Sequence, residues 1–351
     1  MFTTPLFESP FYRKEVFDLK VQSIAEQLRE EGFAVIDFPE DDLDVIVEGI
    51  KKDFYDKYDW KTWKAGELNG LRIQDAWKYD TRVKDLASNK AIIELLSTLY
   101  GKKAFPFQTL NFPVGTEQSL HSDHVHFNSI PDRFMCGVWV AFEDTDDENG
   151  PLFYYPGSHK WPSYSNADLS VSGNEIEGGY AKYAEFGDLW SALAKEYGVE
   201  KKYFHAKKGT AFIWSSNLVH GGSAVKDMKR TRWSQVTHYY FENCGYYTPV
   251  ASDVFAGEIY YRDIINISTG KSVPNIVSGR EIDTKLKHKL SPQFLNHKID
   301  PAATADSRVI SLLSCFEPAR YLILNPDVEA AGINPFEHYV KFGLAEGRRI
   351  R

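Results

Sequence analysis

Residues 115–127 read GTEQSLHSDHVHF. This run contains His121 and Asp123, a pair of possible metal ligands that best indicates the fold and chemistry of the chain. Residues two apart in an extended strand project on the same face, so these two side chains can converge on one metal ion. A third ligand must come from elsewhere in the chain, and His220, in the run VHGG at 219–222, is the best candidate. Two histidines and one carboxylate leave metal positions open, as in non-haem Fe(II) sites.

The composition excludes several other classes of protein. The 351 residues carry 41 basic and 49 acidic side chains, so nothing indicates a nucleic-acid partner. No apolar run is long enough for a membrane span, and the N-terminus lacks the basic region and apolar core of a signal peptide. The three cysteines (Cys136, Cys244 and Cys315) are widely separated, which argues against a disulfide framework. These features predict a soluble, cytoplasmic protein.

The first hundred residues are mainly helical in pattern. Apolar residues at helical spacing predict helices over about 21–28, 43–54 and 91–100, with Gly32 and Gly101 as stops. The run at 33–39 predicts a short strand between the first two helices, and 60–79 has no clear period.

From about Ala104 the pattern changes to short strands separated by turn residues. The predicted strands are 105–112, 134–142, 152–155, 202–206, 210–214 and 233–241. Many short strands without intervening helices favour a sandwich or barrel. The segment 161–200 interrupts this pattern with a helical stretch. Since loops on a rigid β scaffold often bind ligands, we expect it to form a lid carrying Trp161, Tyr164 and Tyr183.

The domain organisation follows from these patterns. We predict an enzymatic domain over 1–265 with its β core at about 104–245, a linker or irregular wrap over 266–308, and a small helical C-terminal module over 309–351. The C-terminal segment resembles a module appended to some bacterial surface-glycan and glycosyltransferase proteins, which hints at a sugar-linked substrate.

Several motifs occur in the same order as in a known family. They are His121-x-Asp123-x-x-x-Phe127, the strand at 136–142, Asn149-Gly150, the run PGSHK at 156–160, the run GTAF at 209–212, His220-Gly221-Gly222 and the basic run RTR at 230–232. Over roughly 20–245 the chain thus resembles the phytanoyl-CoA dioxygenase family of Fe(II)/2-oxoglutarate oxygenases.

The resemblance implies a mainly β fold, a double-stranded β-helix (jelly-roll, cupin-like) core with flanking helices. It implies that His121, Asp123 and His220 bind Fe(II), with 2-oxoglutarate as co-substrate and O₂ as oxidant. The expected reaction is hydroxylation of a small or carrier-linked organic substrate, with release of succinate and CO₂. Because Asp123 is present where related halogenases have a small residue, a hydroxylase is expected.

The far carboxylate of 2-oxoglutarate needs a buried cation, and arginine suits it best. In the family this arginine follows the distal histidine by about eleven residues, but position 231 is threonine, and Arg230 and Arg232 lie at ten and twelve. Both would share one strand face. We favour Arg232, because Tyr239 follows it by seven residues as the family's aromatic does. Trp139 and Asn111 are further candidates for contact with the co-substrate.

Other histidines have two interpretations. His124 and His126 can flank the metal or edge a substrate pocket, with His126 on the opposite strand face from Asp123. His238 can line the cavity, whereas His159 is expected to stabilise a turn. The basic cluster of Lys201, Lys202, Lys207 and Lys208, with His205, is either a solvated face or a site for an anionic substrate group.

Two other functions remain open from the sequence. One is a non-catalytic β-barrel binding or scaffold protein with a vestigial metal site. The other is a zinc-dependent hydrolase or isomerase that uses the same two-histidine, one-carboxylate set. The sequence does not identify the substrate or the oligomeric state.

Overall fold

The computed structural model describes residues 4–10, 12–68, 70–171, 183–283 and 318–331, with 333, 335–339, 342, 346 and 348. The chain divides into two compact units, 1–290 and 291–351, which are described separately. None of the helices within these described ranges is both long and apolar enough to cross a bilayer.

The helices of the first unit flank a β core. They are α1 (Leu19–Glu31), α2 (Leu43–Phe54), α3 (Trp60–Lys64), α4 (Thr81–Ala87), α5 (Lys90–Tyr100) and α6 (Ala184–Glu196). The first helix begins where the Asp18 side chain accepts a hydrogen bond from the Val21 N–H. It ends at Gly32, whose φ of 83° is left-handed, as the sequence predicts. Gly101, at φ 72°, ends α5 in the same way.

Seven strands of the first unit (β1, β3, β5, β6, β7, β8 and β10 below) agree with the predicted runs to within a few residues, and the others were not predicted. The strands are β1 (Phe33–Asp37), β2 (Ile73–Gln74), β3 (Ala104–Phe112), β4 (Asn128–Ile130), β5 (Met135–Ala141), β6 (Leu152–Tyr154), β7 (Lys202–Phe204), β8 (Thr210–Ser215), β9 (His220–Gly222), β10 (Ser234–Phe241), β11 (Gly245–Tyr247), β12 (Ile264–Asn266), β13 (Lys271–Val273), β14 (Ile276–Val277) and β15 (Arg280–Glu281).

Two antiparallel sheets form the core. The larger has the strand order β1-β8-β5-β10-β3-β2, and the smaller has the order β7-β6-β9. The four inner strands β3, β5, β8 and β10 are buried almost throughout. The helices α1, α2, α4 and α5 contribute apolar side chains to the same core cluster. This arrangement confirms the predicted double-stranded β-helix with flanking helices.

The prediction of a linker beginning at residue 266 is wrong at its start. Residues 264–283 form the hairpins β12-β13 and β14-β15, and they belong to the first unit. The Ile267 N–H donates to the Pro106 C=O at 2.9 Å, and the Ile276 N–H donates to the Cys244 C=O at 2.9 Å. Buried Ile264 and Ile267 attach this segment to the core. The rest of the predicted linker, from 284 onward, lies outside the described residues.

The second unit contains the short helices α7 (Pro318–Leu324), α8 (Pro326–Ala330) and α9 (Pro335–His338). The sequence predicts a small helical module in this part of the chain, and its described residues are mainly helical. Tyr321, Val328 and Tyr339 form a small buried cluster of their own. Arg348 pairs with Asp327 at 2.6 Å.

Candidate metal centre

His121, Asp123 and His220 come together as the sequence predicts. One donor atom from each residue lies within 4.8 Å of the others. His121 Nε2 is 3.7 Å from Asp123 Oδ1, and the two imidazole centroids are 4.3 Å apart. His121 and Asp123 are only 5% and 6% exposed. Two imidazoles and a carboxylate suit a divalent first-row metal such as iron.

The backbone brings the two histidines face to face. The N–H of each donates to the C=O of the other at 2.9 Å, forming an isolated antiparallel bridge beside β9. Ser122 is extended, but Asp123 starts a 3-10 turn, Asp123–Val125. The expectation of a continuous strand through the motif is therefore wrong, and a turn places the carboxylate.

Both histidines are fixed in the tautomer that a metal needs. The Nδ1–H of His121 donates to the Ser119 C=O at 2.8 Å, and that of His220 donates to the Leu218 C=O at 3.0 Å. Since a carbonyl only accepts, each Nε2 keeps its lone pair for the metal. Burial, with His220 nearby, lowers the pKa of His121 to about 3, so its ring is neutral near pH 7.

The Asp123 carboxylate is held by a second layer of side chains. The Trp214 Nε1–H donates to Asp123 Oδ2 at 2.8 Å, and His238 Nε2 lies 3.6 Å from the same oxygen. Burial on its own would raise the pKa of Asp123, but His238, His220 and His121 together hold it below its usual range. The carboxylate therefore stays ionised, with Oδ1 on the His121 side.

A glycine opposite Trp214 makes this contact possible. Gly137 on β5 pairs with Trp214 on β8, and a Cβ at position 137 would collide with the indole ring. The family-like strand at 136–142 contains this glycine, but its sequence does not reveal that it makes room for an indole.

The triad opens into a cavity of about 350 Å³ that also contains Arg232 and Trp139. Arg232 is 1% exposed, and its guanidinium carbon lies 5.7 Å from the Trp139 ring centroid. None of its three guanidinium nitrogens, nor Trp139 Nε1, has a hydrogen-bond partner within the described part of the chain. Burial lowers the pKa of Arg232 to about 10, which leaves it charged near pH 7. A buried, unpaired cation is costly and indicates a site for an anion.

Arg230 lies in a different environment. It donates to both carboxylate oxygens of Asp146, at 2.8 and 2.9 Å, and it is partly exposed. Neither arginine is in a strand, because β10 begins at Ser234. The prediction that Arg230 and Arg232 share one strand face is therefore wrong. Of these two arginines, Arg232 lines the cavity and Arg230 does not.

Asn111 does not join the site. Its neighbours on β3, Leu110 and Phe112, line the cavity, so alternation turns Asn111 to the other face. There its Nδ2–H donates to Gln235 Oε1 at 3.1 Å, and its own C=O accepts from the Tyr58 hydroxyl. The prediction that Asn111 contacts the co-substrate is therefore wrong, because its side chain does not line the cavity.

The remaining histidines separate into two groups. His238 and His126 line the cavity, and His238 Nδ1 lies 2.9 Å from Gln108 Oε1. His126 follows a 3-10 turn, so its expected place on an opposite strand face is wrong. His124 lies 3.2 Å from Asp132, and it is not among the residues that line the cavity. His159 is structural, since its Nε2–H donates to the Arg29 C=O at 3.1 Å.

The described parts of the insertion, 161–171 and 183–200, pack beside the metal centre and do not line its cavity. Trp161, Phe186 and Trp190 form a cluster with Val125 and Val219, which adjoin the ligand residues. Trp161, Tyr164 and Tyr183 do not line the cavity, although the Tyr183 hydroxyl lies 3.0 Å from His126 Nε2. The expected aromatic lining from these three residues is wrong, and residues 172–182 lie outside the described part.

The basic cluster is largely paired with acidic neighbours. Lys207 lies 2.7 Å from Asp144, and Lys208 lies 2.7 Å from Asp44. His205 lies 2.8 Å from Asp147. The cluster therefore resembles a solvated face, and none of its members lines the cavity.

The family model for phytanoyl-CoA dioxygenase (PhyH) matches residues 18–232, more than half of the chain. The chain belongs to the phytanoyl-CoA dioxygenase family. This confirms the resemblance found in the sequence. The His-Asp-His donor set can hold an iron ion, as the predicted cofactors, Fe(II) and 2-oxoglutarate, require.

One curated relative and two solved structures are similar to parts of the chain. The chain is 27% identical over 142 residues to a phytanoyl-CoA dioxygenase domain-containing protein 1 homolog of Caenorhabditis elegans, covering 35% of this chain and 45% of the relative. It thus spans less than half of that relative's length. The non-haem α-ketoglutarate-dependent carbocyclase SnoK from nogalamycin biosynthesis has a similar fold, with a TM-score of 0.50, 16% identity and coverage of 66% of this chain and 88% of SnoK. EctD from S. alaskensis, solved with 2-oxoglutarate and 5-hydroxyectoine, has a TM-score of 0.48 and 17% identity, covering 68% of this chain and 80% of EctD.

Proposed function

We propose that this protein is an Fe(II)/2-oxoglutarate-dependent oxygenase that hydroxylates a small or carrier-linked organic substrate and releases succinate and CO₂. The observation that carries the proposal is Arg232. This buried arginine, whose guanidinium has no hydrogen-bond partner among the described residues, shares one cavity with three converging metal ligands. A dicarboxylate that chelates a metal at one end would pair with this arginine at the other.

The residues fit both groups. The Nε2 atoms of His121 and His220 and Oδ1 of Asp123 would hold the iron, while Arg232 would bind the far carboxylate bidentately. The unpartnered Trp139 Nε1–H offers one more donor. Bound iron and 2-oxoglutarate supply the oxidation of a substrate C–H bond by O₂. The apolar wall formed by Phe112, Phe212 and Val236 would exclude water around the co-substrate.

The two alternatives lack such support. A scaffold protein with a vestigial site would have no need of the hydrogen bonds that keep both histidine Nε2 atoms and the Asp123 carboxylate ready for a metal. A zinc hydrolase could use the same triad, but Arg232 would then remain buried without a described function. Both alternatives become outcomes of one experiment.

The test is succinate release from 2-oxoglutarate by the full-length protein, supplied anaerobically with Fe(II) and then exposed to O₂. We expect succinate with Fe(II) and none with Zn(II). A protein that binds Fe(II) at the triad but forms no succinate, with or without a panel of candidate substrates, would contradict the proposal and favour the scaffold interpretation. Ester or amide hydrolysis with Zn(II) would favour the hydrolase.

A further inference from the structure

We propose that the substrate carries an anionic oxygen group, a carboxylate or a phosphate, and that Arg262 binds this group inside the cavity with Arg72 as a second cation. This inference rests on the proposed function, because it assigns the part of the cavity that 2-oxoglutarate would leave free.

Arg262 is held in place at the cavity wall. Its Nη1–H donates to Thr248 Oγ1 at 2.9 Å, and its guanidinium carbon lies 4.8 Å from the Phe127 ring centroid. Its Nε is buried and has no hydrogen-bond partner, and no acidic group within the described ranges forms an ion pair with it. The stacked, fixed guanidinium therefore keeps N–H groups available for a ligand.

A series of side-chain contacts connects Arg262 to the metal centre. Phe127, under the guanidinium, lies 5.2 Å from the His238 ring, centroid to centroid. His238 Nε2 in turn lies 3.6 Å from the metal-binding carboxylate of Asp123. Arg262 therefore lies beyond Phe127 and His238 from the metal ligands, on the wall of the same cavity.

The charges that line the cavity favour an anion. Three arginines (Arg72, Arg232 and Arg262) line it, and Asp123 is the single carboxylate among the lining residues. The charges of a divalent ion and a dianionic co-substrate cancel, so an excess of two positive charges would remain.

Arg72 supplies the second cation from another segment. It immediately precedes β2, its side chain is exposed, and it has no ion-pair partner among the residues that the structure describes. An exposed arginine attracts an anion more weakly than a partly buried one, because water screens it. Arg262 should accordingly dominate recognition, and Arg72 should assist.

The experiment compares three probes with unbranched hydrocarbon chains of similar length, which are hexanoate, hexyl phosphate and the neutral hexanamide. Full-length protein is loaded anaerobically with Fe(II) and 2-oxoglutarate, so that Arg232 is already occupied, and binding is measured by calorimetry. We expect hexanoate or hexyl phosphate to bind about tenfold or more tightly than hexanamide. Comparison of the two anions shows which oxygen group the site prefers.

Variants assign the preference to a residue. Arg262→Gln should reduce the preference for the anion about tenfold, while Arg262→Lys should retain part of it. Arg72→Gln, which changes an exposed side chain and so leaves folding intact, should reduce it by a smaller factor, about threefold. Lys201→Gln, in the basic cluster outside the cavity, is the matched control and should keep the full preference.

Three results would overturn the inference. These are equal affinity for hexanamide and both anions, no binding of either anion by the loaded wild-type protein, or an unchanged preference in the correctly folded Arg262→Gln and Arg72→Gln variants. Succinate release by the wild-type protein separates the two claims. If it occurs while the anion preference is absent, only this inference fails, whereas absence of succinate contradicts the proposed function itself.

Discussion

The indole Nε1–H of Trp214 donates a hydrogen bond of 2.8 Å to Oδ2 of Asp123, the carboxylate of the candidate metal site. Trp214 comes from the middle of the larger sheet and reaches the carboxylate across Gly137. The contact occupies one carboxylate oxygen and leaves the other on the His121 side. Partners of this kind orient a metal ligand before the metal binds.

Trp214→Phe should therefore weaken Fe(II) binding about tenfold to a hundredfold, because phenylalanine fills much of the space but cannot donate to Asp123. The measurement is an anaerobic Fe(II) titration. Trp63→Phe, which changes a buried indole in α3, is the matched control and should leave the Fe(II) affinity unchanged. An unchanged affinity in Trp214→Phe would mean that the hydrogen bond does not position the carboxylate.

Arg232→Ala should raise the apparent KM for 2-oxoglutarate steeply, whereas Arg230→Ala should change it little. Loss of a buried partner for a carboxylate costs on the order of 3 kcal/mol, which corresponds to about a hundredfold. Arg230 already pairs with Asp146 at the surface, so its loss should not reach the cavity. Steady-state kinetics of succinate release would check both variants, and the reverse ranking would move the co-substrate site to Arg230.

His159 should make the apoprotein less stable in mild acid. Burial lowers the pKa of His159 from 6.5 to about 4, so the unfolded chain binds a proton more readily than the folded one. The neutral, buried His159 therefore makes its full contribution to the free energy of unfolding above pH 6.5. This contribution is lost as the pH falls from 6.5 towards 4, because protonation favours the unfolded chain. Between pH 7 and pH 5 this residue should account for about 2 kcal/mol of the free energy of unfolding.

Urea unfolding of the wild-type protein and His159→Gln at both pH values tests this expectation. The variant should lose less stability than the wild type on going from pH 7 to pH 5. Equal losses would show that His159 is protonated as readily in the folded protein as in the unfolded one.

A chain that ends at Ser307 should still consume 2-oxoglutarate. Every residue that lines the cavity lies at or before Arg262, and Tyr321, Val328 and Tyr339 form their own cluster. The measurement is succinate release by the truncated and full-length proteins at equal concentration. An insoluble or inactive truncated protein would show that the second unit is needed for the fold of the first.

Much of the fold could be predicted because local patterns determine it. The apolar spacing and glycine stop of α1 and the short apolar runs of β5 and β10 are signals that need no distant contact. The hairpins after residue 263 could not be predicted, because strands of two or three residues are too short to show an alternation. Only their tertiary contacts, such as buried Ile267, attach them to the core.

The metal triad could be predicted, whereas the residues around it mostly could not. His121 and Asp123 are close in sequence, and His220 lies in a recognisable His-Gly-Gly run. Trp214 lies in a predicted strand, but the strand pattern does not show that the register brings its indole to Asp123. Arg262 lies in a segment without a recognisable motif and lines the cavity only through its tertiary contacts. The prediction that Asn111 contacts the co-substrate was wrong, because spacing along the chain does not establish which face of β3 its side chain occupies.

The most direct test of the central claim is Fe(II) stoichiometry combined with succinate release, measured in the wild-type protein, Asp123→Ala and His124→Ala. His124 is adjacent to the ligand but is directed towards Asp132, so it is the matched control. We predict one Fe(II) per chain and succinate release for the wild type and His124→Ala, and the loss of both for Asp123→Ala. Retention of iron and turnover in Asp123→Ala would contradict the assignment of His121, Asp123 and His220 as the metal centre.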